Sequence, residues 1–175
     1  EASMKYQESS IIYEFNEKFA TRINKILLFI HILLLLTFSL NRVYIMSAVN
    51  IISVTFYLAV MKIAKADQNM YLKLAYIEIL IHLIFATLCV GWACGFQLYC
   101  FALVPMIFYA SYLAEKTDGT HYHPIMISAM IMLIFLFLKL ITEHFHPVYV
   151  RFTATAEMIV YSVNVLISTA FITYF

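Results

Sequence analysis

Charged residues are scarce in this sequence. Of its 175 residues, 12% are charged and 64% are hydrophobic, whereas soluble domains contain about 25% charged and about 45–50% apolar residues. This scarcity excludes a water-soluble globular domain. The net charge of +1 also argues against a nucleic-acid partner, because such surfaces need many basic residues to contact phosphates. The composition predicts an integral membrane domain whose main partner is lipid.

Cysteine and proline are scarce as well. The three cysteines, Cys89, Cys94 and Cys100, form no Cys-x-x-Cys pair, which excludes a disulfide framework and a thiolate zinc site. Only Pro105 interrupts a predicted span, since Pro124 is the first residue of its span. A transporter or channel half, with Glu78, Glu157 and Asn164 along a polar path, is expected to have paired helix interruptions. The sequence therefore gives little support to a transport function.

Six apolar stretches are long enough to cross a bilayer, since one helical crossing needs about 20 residues. The predicted spans are 24–41, 43–63, 69–92, 96–114, 124–144 and 152–175. They leave only short loops, and no internal repeat is visible. The expected fold is all-α, a single integral membrane bundle of six transmembrane helices over residues 1–175.

The two ends of the chain lead to further expectations. Residues 5–22 place Ile11, Phe15 and Phe19 at helical spacing, which predicts a short amphipathic helix at the membrane surface, with a plain polar lead-in as the alternative. Residues 1–3 precede Met4 and are expected to be a cloning remnant. The uncharged stretch 163–175 ends without a polar anchor, so a cytoplasmic output domain is expected to follow it.

Basic residues predict the orientation of the bundle. With the N-terminus inside, eight lysines and arginines fall in inner segments and three, Arg42, Lys139 and Arg151, fall in outer ones. Because basic residues concentrate on the cytoplasmic side, both termini are predicted to be cytoplasmic.

A few ionisable residues lie inside the predicted spans, where they are costly and usually functional. They are His31 in the first span, Glu78 and His82 in the third, and Glu157 in the sixth. Glu78 and His82 are four residues apart and share one helix face. Two stripes of polar residues are expected to face the bundle interior as well: Asn50, Ser53 and Tyr57 in the second span, and Thr153, Glu157, Tyr161, Asn164 and Ser168 in the sixth.

Two of these histidines lie at the same predicted depth. His31 precedes Asn41 by ten residues, and His82 precedes Trp92 by ten. At about 1.5 Å per residue, both imidazoles lie about 15 Å below the outer ends of their helices, near the bilayer midplane. Two histidines at one depth on different helices match bis-imidazole ligation of haem iron. The sequence therefore predicts haem b with His31 and His82 as metal ligands; the cofactor-binding candidates are His31, His82, Glu78, Tyr161 and Asn164.

Several alternatives stay open at this point. An intramembrane histidine can simply be hydrogen-bonded to a hydroxyl or carbonyl in the interior. Glu78 and His82 can form a proton relay, Glu78 can orient a ligand, and Met132 can be the second ligand of a His/Met haem. The remaining histidines lack a nearby Cys or a clear carboxylate set, and they are expected to be solvated loop residues: His121, His123, His144 and His146.

The stretch after His82 contains a distinctive turn, Gly91-Trp92-Ala93-Cys94-Gly95-Phe96-Gln97. The intramembrane histidine, the Gly-Trp-x-x-Gly-Phe turn and the aromatic-rich helix that follows resemble the six-helix membrane input domain found ahead of GGDEF-type diguanylate cyclases and related bacterial nucleotide cyclases. The resemblance covers roughly residues 20–175. It implies that His82 is the family's intramembrane histidine, that some members bind haem, that the protein is a homodimer, and that it lies in a bacterial inner membrane.

Together these observations predict the transmembrane sensory domain of a bacterial diguanylate cyclase. A change in the redox state or ligand of a haem bound by His31 and His82 is expected to shift the sixth helix and so to regulate a cyclase domain after residue 175. No catalytic residue is expected within residues 1–175. The alternative is a small electron-transfer cytochrome with the same haem, although one haem at the midplane is poorly placed to carry electrons across the membrane.

Overall fold

The computed structural model describes residues 2–145 and 152–175, and it describes side chains for residues 16–117, 119–145 and 152–175. All regular elements of these residues are helical, as expected. The α-helices are α1 (Ala2–Leu40), α2 (Tyr44–Ala59), α3 (Met61–Ala66), α4 (Gln68–Val90), α5 (Tyr99–Asp118), α6 (Pro124–His144) and α7 (Ala154–Tyr174). Two 3₁₀ turns, Trp92–Cys94 and Phe96–Leu98, connect α4 to α5.

Within the described residues, six helical segments are long and apolar enough to cross a membrane, as expected of a multi-pass membrane protein. Apart from the start of the first, their boundaries lie within three residues of the predicted spans: Asn16–Leu40, Tyr44–Ala66, Gln68–Val90, Phe96–Thr117, Pro124–His144 and Ala154–Tyr174.

Two helices depart from the expected pattern. The segment 5–22, for which a short amphipathic helix is predicted, is helical and continues without a break into the first span as part of α1. The second span consists of α2 and α3, which are separated by a turn at Val60. Pro105, in contrast, lies within α5 and does not end it.

The helices differ in how deeply they are packed. α1 packs along α2, while α5 packs against α4, α6 and α7. Only Ile131 and Leu138 of α6 are buried, and its other faces expose large apolar side chains such as Leu133 and Phe137. A lipid-facing surface of this kind suits a helix at the edge of a membrane bundle. The interior is therefore built mainly from α1, α2, α4 and α5.

The connection between α4 and α5 folds back onto the bundle. Gly91 and Gly95 have φ of 92° and 81°, a region that favours glycine because a Cβ would clash with the backbone. The turn thereby buries Cys94 and Phe96 completely, and Phe96 stacks on Phe38 of α1 at 5.8 Å between ring centroids. The ring of Phe96 also lies 6.4 Å from that of His82 of α4 between centroids, so the turn packs against both α1 and α4.

Candidate functional site

His31 of α1 meets Glu78 and His82 of α4 in the bundle interior. The two imidazole centroids are 4.8 Å apart, with the rings nearly perpendicular at 86°. Glu78 Oε1 lies 3.4 Å from His31 Nε2 and 4.0 Å from His82 Nδ1. One potential ligand atom from each residue lies within 4.8 Å of the other two. We call these three residues the His–Glu–His centre.

The helix arrangement explains why they meet. Glu78 and His82 are one turn apart on α4 and therefore share a face. α1 and α4 are separated by one span, so both cross the bundle in the same direction. His31 lies nine residues before the end of α1 and His82 eight residues before the end of α4, which places the two rings at nearly the same depth.

The Glu78 carboxylate is held by two hydroxyls of α2. Ser53 Oγ donates to Oε1 at 2.6 Å, and Tyr57 Oη donates to Oε2 at 2.5 Å. Ser53 and Tyr57 are buried, and the Glu78 side chain is 13% exposed. Both carboxylate oxygens therefore accept a strong hydrogen bond, and the polar stripe of α2 faces the interior as predicted.

His31 is oriented by its own helix. Its Nδ1 lies 2.8 Å from the carbonyl oxygen of Leu27, and a carbonyl oxygen can only accept, so Nδ1 carries a hydrogen. Nε2 is then the nitrogen that faces Glu78. Within the described part of the chain, His31 Nε2 and both ring nitrogens of His82 have no hydrogen-bond partner. Three unpaired buried nitrogens are unusual, because buried polar atoms are nearly always bonded.

Space is available on two sides of the centre. A small cavity of about 30 Å³ is lined by His31 and His82 together with apolar side chains of α1, α4, α5 and α7. On the other side, a groove of about 390 Å³ runs between α2 and α4 with Ser53, Glu78 and His82 among its lining residues. The centre thus lies between a small apolar cavity and a larger groove.

The positions of the two rings do not accommodate the haem that the sequence predicts. A bis-imidazole haem requires the porphyrin plane to pass between its two axial rings. Here the rings contact each other edge to face, the adjoining cavity is about 30 Å³, and Glu78 lies against both histidines. Haem b therefore stays a prediction from the sequence. The observed packing of these side chains does not favour it.

The two α7 candidates lie outside the centre. Asn164 is buried; its Nδ2 donates to the carbonyl oxygen of Cys94 at 2.8 Å, and its Oδ1 accepts from Tyr99 Oη at 3.0 Å. Because Tyr99 lines the small cavity beside both histidines, Asn164 is linked to the centre through Tyr99. Tyr161 is 43% exposed and packs over Gly95.

The prediction that the whole α7 stripe faces inward is therefore wrong. Asn164 and Ser168 are buried, but Thr153 and Tyr161 are exposed. The buried face of α7 also includes Val160, and Tyr161 follows it by one residue. One residue turns the side chain by about 100° around a helix with 3.6 residues per turn.

The other histidines lie in different surroundings. His121, His123 and His144 are exposed, and His146 lies outside the described residues. His121 Nδ1 is 3.9 Å from Glu115 Oε1, with side-chain exposures of 75% and 60%. Met132 lies half-buried on α6, whereas the methionine that lines the small cavity is Met106 of α5.

Sequence reasoning missed two contributors. The Leu27 carbonyl had one available signal, since the carbonyl four residues before a helical histidine can accept from its Nδ1; His144 and Leu140 repeat the arrangement at 2.9 Å. Tyr99 had no such signal, because its contact with Asn164 spans 65 residues of sequence.

Comparisons of the chain with protein-family models, with curated proteins and with solved structures find no match. The His–Glu–His centre and its contacts are therefore the features of the molecule that indicate a function.

Proposed function

We propose that this chain is the membrane-embedded sensory domain of a bacterial signalling protein, and that the His–Glu–His centre receives its input. The observation that carries this proposal is the meeting of three ionisable side chains from α1 and α4 inside an apolar bundle. A charged side chain at this depth costs at least about 2.5–3.5 kcal/mol. The presence of such a group inside a folded membrane domain indicates a function rather than a role in packing. Hydroxyls from a third helix surround this group.

The contacts of α7 support a route from the centre to an output. Tyr99 and Phe171 line the same cavity as the two histidines, and Asn164 holds Tyr99 and Cys94 together. A change at the centre that displaces Tyr99 therefore acts directly on the hydrogen bonds that position α7.

The output domain in this proposal is a diguanylate cyclase that follows α7 in a homodimer of the bacterial inner membrane, with both termini cytoplasmic. Its support is the resemblance carried by His82 and the Gly91–Gln97 turn, together with the distribution of basic residues. Residues 1–175 then regulate the reaction and do not catalyse it.

A fusion protein tests this function. The chain is joined through Phe175 to a soluble diguanylate cyclase domain, and cyclic di-GMP formation is measured in membranes that contain equal amounts of each variant. Glu78→Gln and Asn164→Ala are expected to change the rate by about fivefold or more, the usual lower range of allosteric coupling. The matched controls Glu115→Gln and Ser162→Ala are expected to leave it unchanged. Equal rates in all five proteins would contradict the proposal.

A further inference from the structure

We propose that the His–Glu–His centre binds one divalent first-row transition-metal ion, directly and without a porphyrin. This inference rests on the proposed function in treating the centre as the input site, and it names the ligand of that site.

The donor set suits such an ion. Two imidazole nitrogens and one carboxylate oxygen are a set that Zn²⁺ and Fe²⁺ take in proteins. A bond length of about 2.0–2.1 Å with tetrahedral angles places neighbouring donor atoms about 3.4 Å apart. The distance between His31 Nε2 and Glu78 Oε1 is 3.4 Å, and that between His82 Nδ1 and Oε1 is 4.0 Å. The first distance equals this spacing and the second exceeds it by about 0.6 Å, while all three donor atoms lie within 4.8 Å of one another.

The hydrogen positions give independent support. Because His31 Nδ1 donates to Leu27, Nε2 of the neutral ring carries a lone pair. That lone pair faces a carboxylate oxygen, which is also an acceptor, at 3.4 Å. Two such atoms approach each other when a proton, carried by Nε2 or by the carboxyl group, or a metal ion lies between them.

His82 distinguishes these two cations. Both of its ring nitrogens lack a hydrogen-bond partner in the described residues, although the residue is only 6% exposed. A proton on His31 pairs His31 with Glu78 and leaves His82 unexplained. A metal ion shared by all three residues accounts for His31 Nε2 and for one of the two unpaired ring nitrogens of His82.

The surroundings of the centre are those that orient metal ligands. A metal-bound histidine typically donates its other ring N–H to a carbonyl or carboxylate, and a metal-bound carboxylate is itself hydrogen-bonded. Leu27 has the first role here, and Ser53 and Tyr57 have the second. Three protein donors leave a fourth position for water or a small ligand, which is what a receptor of a chemical signal requires.

Metal analysis of the purified chain tests the inference. The chain is prepared in mild detergent from cells supplied with Zn²⁺, Fe²⁺ or haem precursor, and its metal content and absorbance spectrum are measured. We expect about one ion per chain in wild type, and the two metal arms decide between zinc and iron. Glu78→Gln and His82→Ala are expected to lose the ion, while the matched control His121→Ala keeps it.

The Tyr57→Phe variant keeps the test informative if Glu78→Gln or His82→Ala fails to fold. It removes one hydrogen bond to Glu78 and retains the ring, so the protein is expected to stay helical and monodisperse while zinc affinity falls about tenfold or more. A folded wild-type chain without metal would overturn the inference, as would metal content that is the same in wild type and all variants. A Soret band that disappears in His31→Ala and His82→Ala would assign the centre to haem instead.

The fusion protein separates this inference from the proposed function. If the centre contains no metal but Glu78→Gln still alters cyclase output, the metal inference fails and the proposed sensory function stands. If the centre contains metal but its variants do not alter cyclase output, the sensory function fails and the metal site stands.

Discussion

Two of the histidine–glutamate pairs in the described residues lie in opposite surroundings. His31 and Glu78 lie 3.4 Å apart with exposures of 4% and 13%, whereas His121 and Glu115 lie 3.9 Å apart with exposures of 75% and 60%. Water screens the second pair, and exposed pairs of this kind contribute about 0–1 kcal/mol. In the bundle interior, loss of one partner leaves the other without a hydrogen-bonding group, because no water replaces the lost side chain. Burial thus makes one of two similar pairs a candidate site.

The largest expected effect comes from removing the buried carboxylate. Glu78→Ala leaves the Ser53 and Tyr57 hydroxyls without their acceptor, and we expect a loss of about 3–5 kcal/mol, typical of a broken buried pair. Glu115→Ala is expected to change stability by less than about 0.5 kcal/mol. Thermal unfolding in detergent, followed by helical circular dichroism, measures both. Similar melting temperatures for the two variants would show that the buried and exposed carboxylates do not differ in their contribution to stability.

Two glycines extend the comparison to the backbone. Gly95, in the buried turn, and Gly119, between α5 and α6, both have positive φ, of 81° and 71°. A Cβ at Gly95 would lie 2.8 Å from the Tyr161 ring, whereas a Cβ at Gly119 has nothing within 4 Å. Alanine is expected to cost about 1–2 kcal/mol at both positions for the backbone conformation, with about 1–3 kcal/mol more at Gly95 for overpacking.

A double variant isolates the steric part of this effect. Tyr161→Ala removes the ring that the new methyl group would contact, so Gly95→Ala is expected to cost less in that background. The same background should not change the cost of Gly119→Ala. If Gly95→Ala costs equally with and without Tyr161, the contact is not the cause.

Buried and exposed polar groups can also be compared within α7. Asn164→Ala leaves the Tyr99 hydroxyl and the Cys94 carbonyl unpaired, at an expected cost of about 1–3 kcal/mol. Ser162 is exposed and donates to Met158 of its own helix, so Ser162→Ala should cost less than about 0.5 kcal/mol. Thermal unfolding and the emission of Trp92, the single tryptophan, report the difference. An Asn164→Ala variant with unchanged melting temperature and unchanged Trp92 emission would argue against the link between the centre and α7.

The smallest expected effect is the coupling between His121 and Glu115. A double-mutant cycle with His121→Ala and Glu115→Ala should give an interaction energy of at most about 1 kcal/mol that falls as salt is added. The corresponding cycle for His31 and Glu78 should give a larger, salt-insensitive value. Comparable values from the two cycles would show that burial does not separate the pairs.

Several features of the fold were predictable from local properties. Spans are visible because a bilayer requires a fixed length of apolar helix, and five of the six begin where expected. The i, i+4 pairs Glu78–His82 and Ser53–Tyr57 follow from helical geometry. The turn at Val60 was not predictable, since its segment contains no Gly or Pro that indicates where a helix bends. The same absence of Gly and Pro around residue 22 is consistent with the continuous α1, whereas the change from polar to apolar residues there suggested a boundary.

The sequence by itself determined that this is a helical membrane protein, how many spans it has, and at what depth its ionisable residues lie. Only the tertiary structure decided which of them meet: it joined His31 to Glu78, linked Asn164 to Tyr99, and turned Tyr161 outward. The physical reason is that span length and depth depend on distance along one helix, which the sequence contains. The rotation of each helix about its axis is set by packing, because helices that are apolar on nearly every face have no periodic pattern to indicate the buried side.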